Sequence, residues 1–341
     1  MIRGAGRVDE ALADRFTQFI EQADESDCMR RILYYTVTRE EAGLRVDQYL
    51  KRRGYSRQIL TELKKFAGSV SVDGEEYYMN RRLNAGGRMK VILTEEPKQQ
   101  KIIPEKLPLA VVYEDEDILV VNKPAGMPTH PSMNHDRNTL AGAVVFYYRE
   151  GDGARGRKAR EGEADFVFRC GNRLDRDTSG LTVIAKNMLA AAVLASMTAS
   201  GRMHRQYLGI VRGSLVPEEG TIDAPLGRRP GSVIERMIDR EGGERAVTHY
   251  RKLAEKNGHS LVLMELETGR THQIRIHMKS IGYPLIGDYL YNPDMEYIGR
   301  QALHSARLCF PHPVTGKEMR FTAALPEDMR RVLEVRPEMD S

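Results

Sequence analysis

Cysteine is scarce in this chain of 341 residues. Cys28, Cys170 and Cys309 are too few and too widely spaced for a disulfide framework or a zinc cluster, so a reducing, cytoplasmic setting is expected. No stretch approaches the ~18–20 uninterrupted apolar residues that a membrane-spanning helix needs. The opening MIRGAGRVDEALADRF scatters charges where an export signal carries an apolar core, so no such signal is expected. A GxxxxGKS or GxxxxGKT loop is missing, and with it any sign of nucleoside triphosphate chemistry. Gly151, Gly153 and Gly156 do fit GxGxxG, but no apolar helix follows to point its N-terminus at a pyrophosphate, so no nucleotide cofactor is expected. His272 and His277 stand five apart, on different faces of a helix or strand, with no carboxylate to complete a ligand set. They read as hydrogen-bonding or substrate-facing histidines rather than metal ligands, no metal is expected, and Cys170 reads as a buried thiol.

Net charge is also small: 52 Lys+Arg against 48 Asp+Glu. Its distribution is uneven, because residues 31–110 hold 16 basic against 10 acidic groups while 111–341 hold 32 against 31. Within 45–65, Arg45, Lys51, Arg52, Arg53, Arg57, Lys64 and Lys65 face only Asp47 and Glu62. Such a cationic face suits a polyanion such as nucleic acid, although an ordinary solvated surface has the same composition.

Periodicity divides the chain. Residues 1–31 form an extension with helical spacing of Leu12, Phe16, Phe19 and Ile20. A module at 32–96 carries two short helices, at VDQYLKRR and SRQILTELKKFA, the second capped by Ser56. Its SVSVDG and GGRMKVIL segments read as strands. Arg57 and Lys64 lie almost above one another on one helix face. A Lys-, Gln- and Pro-rich stretch at 97–107 marks a linker. Over 108–330, strand-like runs (DILVVNKP, LTVIAKN, QYLGIVRG, LVLMELET) alternate irregularly with helical ones (TLAGAVVFYY, NMLAAAVLASMTAS, HQIRIHMKSIG). That order predicts an α+β domain with a mixed, largely antiparallel sheet and flanking helices. The charged, Gly-rich residues 149–163 read as a surface loop, and 331–341 as a tail.

In CGNRLDRDTSGLTVIAKN, Asp175 and Asp177 alternate with Arg173 and Arg176 before a Thr-Ser-Gly turn. Aspartate in a polar turn is usually a turn former. Downstream, ETGRTHQIRIHMKS supplies Arg270 and Arg275, and a buried carboxylate with a guanidinium partner stays ionised at neutral pH.

The runs VVYEDEDILVVNKPAGMPTHPS, NRLDRDTSGLTVIAKN, RQY followed by GIVRG, and ETGRTHQIRIHMKSIGYPLIGD resemble, in order and spacing, the RluA-type RNA pseudouridine synthases. The resemblance spans about 107 to 325. The upstream module, with GLRVDQYL, SRQIL, SVSVDG and GGRMKV, resembles the small α/β RNA-binding module named after ribosomal protein S-four. The resemblance over 107 to 325 implies a pseudouridine-synthase-like fold and the isomerisation of uridine in RNA to pseudouridine, with no cofactor and no metal. Asp175 falls on the family's essential aspartate, as nucleophile or base on the sugar. Tyr207 falls on the tyrosine that stacks on the uracil and can assist proton transfer. Arg275 matches the arginine that pairs with the carboxylate, and Arg270 is a weaker candidate for the same pocket or a phosphate. Arg173 matches the position that helps hold the target nucleotide out of the stack. Two departures stand out: Asn172 occupies the usual histidine position before Arg-Leu-Asp, where it would contact RNA, and Arg205 replaces the frequent lysine before Gln-Tyr. Arg45, Arg57 and Lys64 are the module's candidate RNA contacts. Ribosomal RNA is the favoured partner, transfer RNA a possible one, and a monomer is expected. The rival reading is a catalytically silent RNA-binding or ribosome-assembly protein on the same fold.

Overall fold

The computed structural model describes residues 29–95, 100–132, 136–150 and 166–334. The helical spacing of Leu12, Phe16, Phe19 and Ile20 in the extension lies outside these residues, as do 151–163 of the charged loop and 335–341 of the tail.

The N-terminal module comprises β1 (Met29–Thr36), α1 (Val46–Arg52), α2 (Arg57–Leu63), β2 (Val70–Val72), β3 (Glu75–Glu76) and β4 (Arg88–Glu95). Ser56 caps α2, its hydroxyl accepting from the Ile59 amide at 3.3 Å, and Ile59, Leu60 and Leu63 turn inward. The Asp73–Gly74 pair takes left-handed φ values of 52° and 88°, the geometry of a tight hairpin between β2 and β3. The sheet order is β1-β4-β2-β3, all antiparallel. No strand is read at β1 from the sequence, because Ile32 and Tyr34 face solvent while Arg31 shares the inward face with Leu33 and Tyr35, which hides the alternation.

The larger body contains β5 (Val111–Glu114), β6 (Ile118–Lys123), α3 (Leu140–Arg149), β7 (Arg169–Cys170), β8 (Ser179–Ala185), α4 (Met188–Ala199), β9 (His204–Arg212), β10 (Glu219–Asp223), β11 (Leu226–Arg228), β12 (Arg236–Ile238), β13 (Val247–Lys256), β14 (His259–Leu266), α5 (Gln273–Ser280), β15 (Leu303–Pro311), β16 (Glu318–Thr322) and α6 (Glu327–Glu334). Ten of these strands form one sheet, in the order β10-β13-β14-β9-β15-β8-β6-β5, with β16 added to β15 and β7 to β8. Only the β15–β8 pair is parallel, so the sheet is mixed and largely antiparallel. β6 and β8 are buried along almost their whole length, which is why they read as continuous apolar runs.

Residues 100–109 do not form a free tether. The Gln100 amide bonds both backbone groups of Phe168, and Ile102, Leu107 and Leu109 pack on the α3 side of the body. The module is seated as well: one apolar core runs from Val46, Leu50, Leu60 and Val91 through to Leu189, Val193 and Met197 of α4. Gly54 makes this contact feasible. Its φ is +88°, and a Cβ there would lie 2.5 Å from the Val193 side chain. Polar groups close the seam. Arg31 donates to both carboxylate oxygens of Asp117 at 2.9 Å, while buried Glu95 pairs with Arg169 and accepts from the Met188 amide at 2.6 Å.

Candidate active site

Asp175 sits in the irregular segment between β7 and β8, with a side chain 27% exposed and therefore open to a substrate. Its neighbours on both sides are tied down. Leu174 is clasped by Thr129, whose hydroxyl donates to the Leu174 carbonyl at 2.7 Å and accepts from its amide at 3.3 Å. The Arg176 carbonyl accepts from Lys123 Nζ at 3.0 Å, and the same ammonium donates to the carbonyls of Pro124 and Met127. Lys123 is 1% exposed, and burial draws its pKa down to about 7 against the pull of Asp177 and Asp175. The NKPAGMPT run thus braces the loop that carries the carboxylate. Replacing Lys123 with Met leaves three carbonyls without their donor. We expect a loss of roughly 2–4 kcal/mol in urea unfolding, at about 1–3 kcal/mol per abandoned buried group after partial relaxation.

Asn172 corrects an expectation. It is buried, its amide nitrogen donates to the Leu181 carbonyl at 3.1 Å, and its oxygen accepts from the Val183 amide at 2.8 Å. A side chain spent at both ends on β8 has nothing to offer RNA; its work is to anchor the start of the Asp175 loop.

Arg275 enters from α5 and is 2% exposed. Its Nη1 donates to Asp175 Oδ2 at 3.0 Å, and its Nε and Nη2 donate to the two oxygens of Asp288, both at 2.7 Å. Asp288 is itself buried and also accepts from the Leu290 and Tyr291 amides. Burial disfavours the guanidinium's charge, but the two carboxylates outweigh it and raise the Arg275 pKa. One cation therefore bridges two anions, and Asp288 fixes the angle at which Arg275 meets Asp175.

His272, which precedes α5 with a left-handed φ of 60°, shares a 2.8 Å hydrogen bond with the Tyr291 hydroxyl. Its Nε2 lies 3.9 Å from Asp175 Oδ2, and burial holds its pKa below the ordinary value, so it is neutral at neutral pH. His277, by contrast, is buried elsewhere against Thr248 and the Ala224 carbonyl. Tyr207 lies on β9 with Met264 and Ser305 as cross-strand neighbours and is 5% exposed; burial raises its phenol pKa.

The remaining expected residues fall in different places. Arg173 is exposed two residues before Asp175. Arg270 does not join the Asp175 cluster: its guanidinium bonds the Arg245 carbonyl and pairs with Glu244 on the surface. Arg45 is held by Asp47 through two 3.0 Å bonds, which offsets its charge. Arg57 and Lys64 are exposed at the two ends of α2. The Cys170 thiol donates to the Asn172 carbonyl, and burial pushes its pKa up to about 11. Asp115, Asp117 and His312 converge within 4.8 Å. These groups are already committed, Asp117 to Arg31 and Asn187, and Asp115 to His312, Tyr113 and two backbone amides.

Sequence reading sets the NKPAGMPTHPS stretch, with Lys123 and Thr129, beside the active site and the Thr-His-Gln stretch, with His272, along a polar pocket, but gives these residues no individual role, and it misses Asp288 and Tyr291. A lysine ending an otherwise apolar strand was the available signal for Lys123; the others act through backbone groups or partners far apart in the chain.

Residues 117–280 match the family profile described as RNA pseudouridylate synthase. The uncharacterized RNA pseudouridine synthase YjbO of Bacillus subtilis (strain 168) is 38% identical over 288 residues, covering 84% of this chain and 98% of that protein. The ribosomal large subunit pseudouridine synthase D of Pseudomonas aeruginosa is 36% identical over 305 residues, covering 85% of this chain and 91% of its own length. The fold is also that of the solved human RNA pseudouridylate synthase domain containing 4, with a TM-score of 0.53 at 21% identity, covering 66% of this chain and 92% of that one. Arg275 meets Asp175, and Tyr207 on β9 lies near enough for Asp175 to act on its phenol; by its likeness to these relatives over most of their length, the chain belongs to the RluA-type RNA pseudouridine synthases.

Proposed function

We propose that the protein isomerises specific uridines in ribosomal RNA, with Asp175 as the essential group acting on the ribose and with no cofactor. The observation that carries this reading is the Asp288–Arg275–Asp175 chain: a part-exposed carboxylate aimed by a buried cation whose own position is fixed. The reaction breaks the bond from the ribose to a uracil nitrogen and makes one to a uracil carbon, so no atom enters or leaves. Asp175 attacks or deprotonates the sugar, Tyr207 lies under the base, and neutral His272 adds no second cation beside the carboxylate. In this reading exposed Arg173 reaches toward the RNA and helps hold the target nucleotide out of the stack. Ribosomal RNA is chosen because the relatives that carry a substrate in their names are large-subunit enzymes. A cytoplasmic monomer is the setting we assign; no helix among the described residues is long and apolar enough to cross a membrane. Mapping pseudouridine in ribosomal RNA from a strain lacking the gene tests the substrate: one or more large-subunit sites should be lost, and an unchanged map would refute it.

The N-terminal module supplies attachment to RNA in this reading. Arg57 and Lys64 are exposed and have no carboxylate partner among the described residues. Changing both to Gln should reduce the slope of log K against log salt by about 1–2, with the turnover of bound RNA unchanged. Equal slopes for variant and wild type would remove these two residues from the interface.

A further inference from the structure

Arg205 is 4% exposed on β9, and neither its Nε nor its Nη2 has an acceptor among the described residues. No carboxylate among the described residues pairs with it. A buried cation left in this state costs stability heavily, and every other deeply buried charge described above has been given partners. The chain around it is shaped to keep it. A Cβ on Gly269 would lie 2.5 Å from Arg205 Nη1, so the glycine lets the backbone leading to Arg270 and His272 close over the guanidinium.

On β9, Arg205 and Tyr207 are two residues apart and both buried, hence on the same face of the strand. The groups acting on the Tyr207 phenol come from four elements: Arg205 on its own strand, Asp175 from the loop before β8, the Ser305 hydroxyl from β15 and the Cys170 thiol from β7. Burial and Asp175 work against negative charge on the phenol, and Arg205 works for it.

We propose that Arg205 is a positioning residue for Tyr207, an unneutralised and largely buried cation beside the phenol that stabilises negative charge at that end of the pocket while the base is detached. The proposal rests on the uridine-isomerase reading above. The net reaction moves one proton, from C5 of the uracil to N1. A phenol that gives its proton to N1 and recovers one from C5 is anionic in between, and the nearby cation favours that interval. No other reactant is consumed.

The test compares wild type, Arg205→Met, Arg205→Lys and Tyr207→Phe in one single-turnover assay, with RNA from cells lacking the gene as substrate. Arg205→Met should slow the rate by roughly 10²-fold, the scale of losing one preorganised electrostatic contact. RNA Kd should stay within about threefold, because a residue only 4% exposed offers little surface to RNA. Arg205→Lys, which keeps the charge, should recover most of the rate. Thermal unfolding supplies a readout that packing alone would move the other way: Arg205→Met should match or exceed the wild-type Tm, since an apolar side chain replaces an unpaired buried charge. An active wild type with an equally active Arg205→Met overturns the proposal alone. A lowered Tm with parallel rate loss and no rescue by Lys also overturns it, marking Arg205 as a packing residue. A wild type that forms no pseudouridine overturns the isomerase reading on which it rests.

Discussion

Asp175→Asn should reduce pseudouridine formation by on the order of 10⁴-fold or more, the scale seen when a nucleophile or its equivalent is removed, with RNA affinity within about threefold of wild type. The amide is nearly the same size as the carboxylate and can keep its oxygen toward Arg275 Nη1, which sits at 3.0 Å in the wild type. Leu174, Arg176 and Asn172, which hold the loop, bond through groups the substitution does not touch. The change therefore removes the charge and nucleophilicity of one group and little else. Single-turnover rates and filter-binding isotherms on the same RNA separate the two effects. Affinity lost in step with rate would mean that Asp175 binds RNA and that the chemistry lies elsewhere.

The second large effect belongs to Asp288. Asp288→Ala strands the Arg275 guanidinium, 2% exposed, with Nε and Nη2 unpaired. Removing one partner of a buried pair costs about 3–5 kcal/mol, because the remaining charge cannot be rehydrated. At roughly 2–4 °C per kcal/mol for a chain of this size class, the melting temperature should fall by about 6–20 °C. Turnover should fall as well, since nothing then sets the angle between Arg275 and Asp175. Pairing the change with Arg275→Met removes the stranded cation, so the double variant should regain much of the lost stability while staying inactive. Equal stability of Asp288→Ala and wild type in urea unfolding would show that the pair is not the buried bridge described here.

Much of this was legible in the sequence, for identifiable reasons. β6 and β8 read as strands because both of their faces are covered, and α2 because Ser56 caps it and its apolar residues fall on one side. Asp175 and Arg275 were placed by motif, since 100 residues separate them and no periodicity links them. β1 was not read because Arg31 points inward, which becomes tolerable only when Asp117 is folded beside it. Asn172 was misplaced as an RNA contact because its burial depends on β8 closing over it. Arg270 was drawn toward the site by its nearness to Arg275 in sequence, while the backbone turn at His272 separates their directions. The partners of Lys123 and Thr129 are main-chain carbonyls and amides, which residue identity does not mark, so the lysine ending an apolar strand hints at a buried role without saying what it bonds.

The most direct measurement is complementation with site mapping. RNA from a strain lacking the gene, incubated with purified wild-type protein or Asp175→Asn, is read for pseudouridine at the positions lost on deletion. Wild type should restore those positions, and Asp175→Asn should bind the same RNA and restore none. Restoration by Asp175→Asn, or no restoration by wild type, would contradict the assignment of Asp175 as the group that carries the reaction.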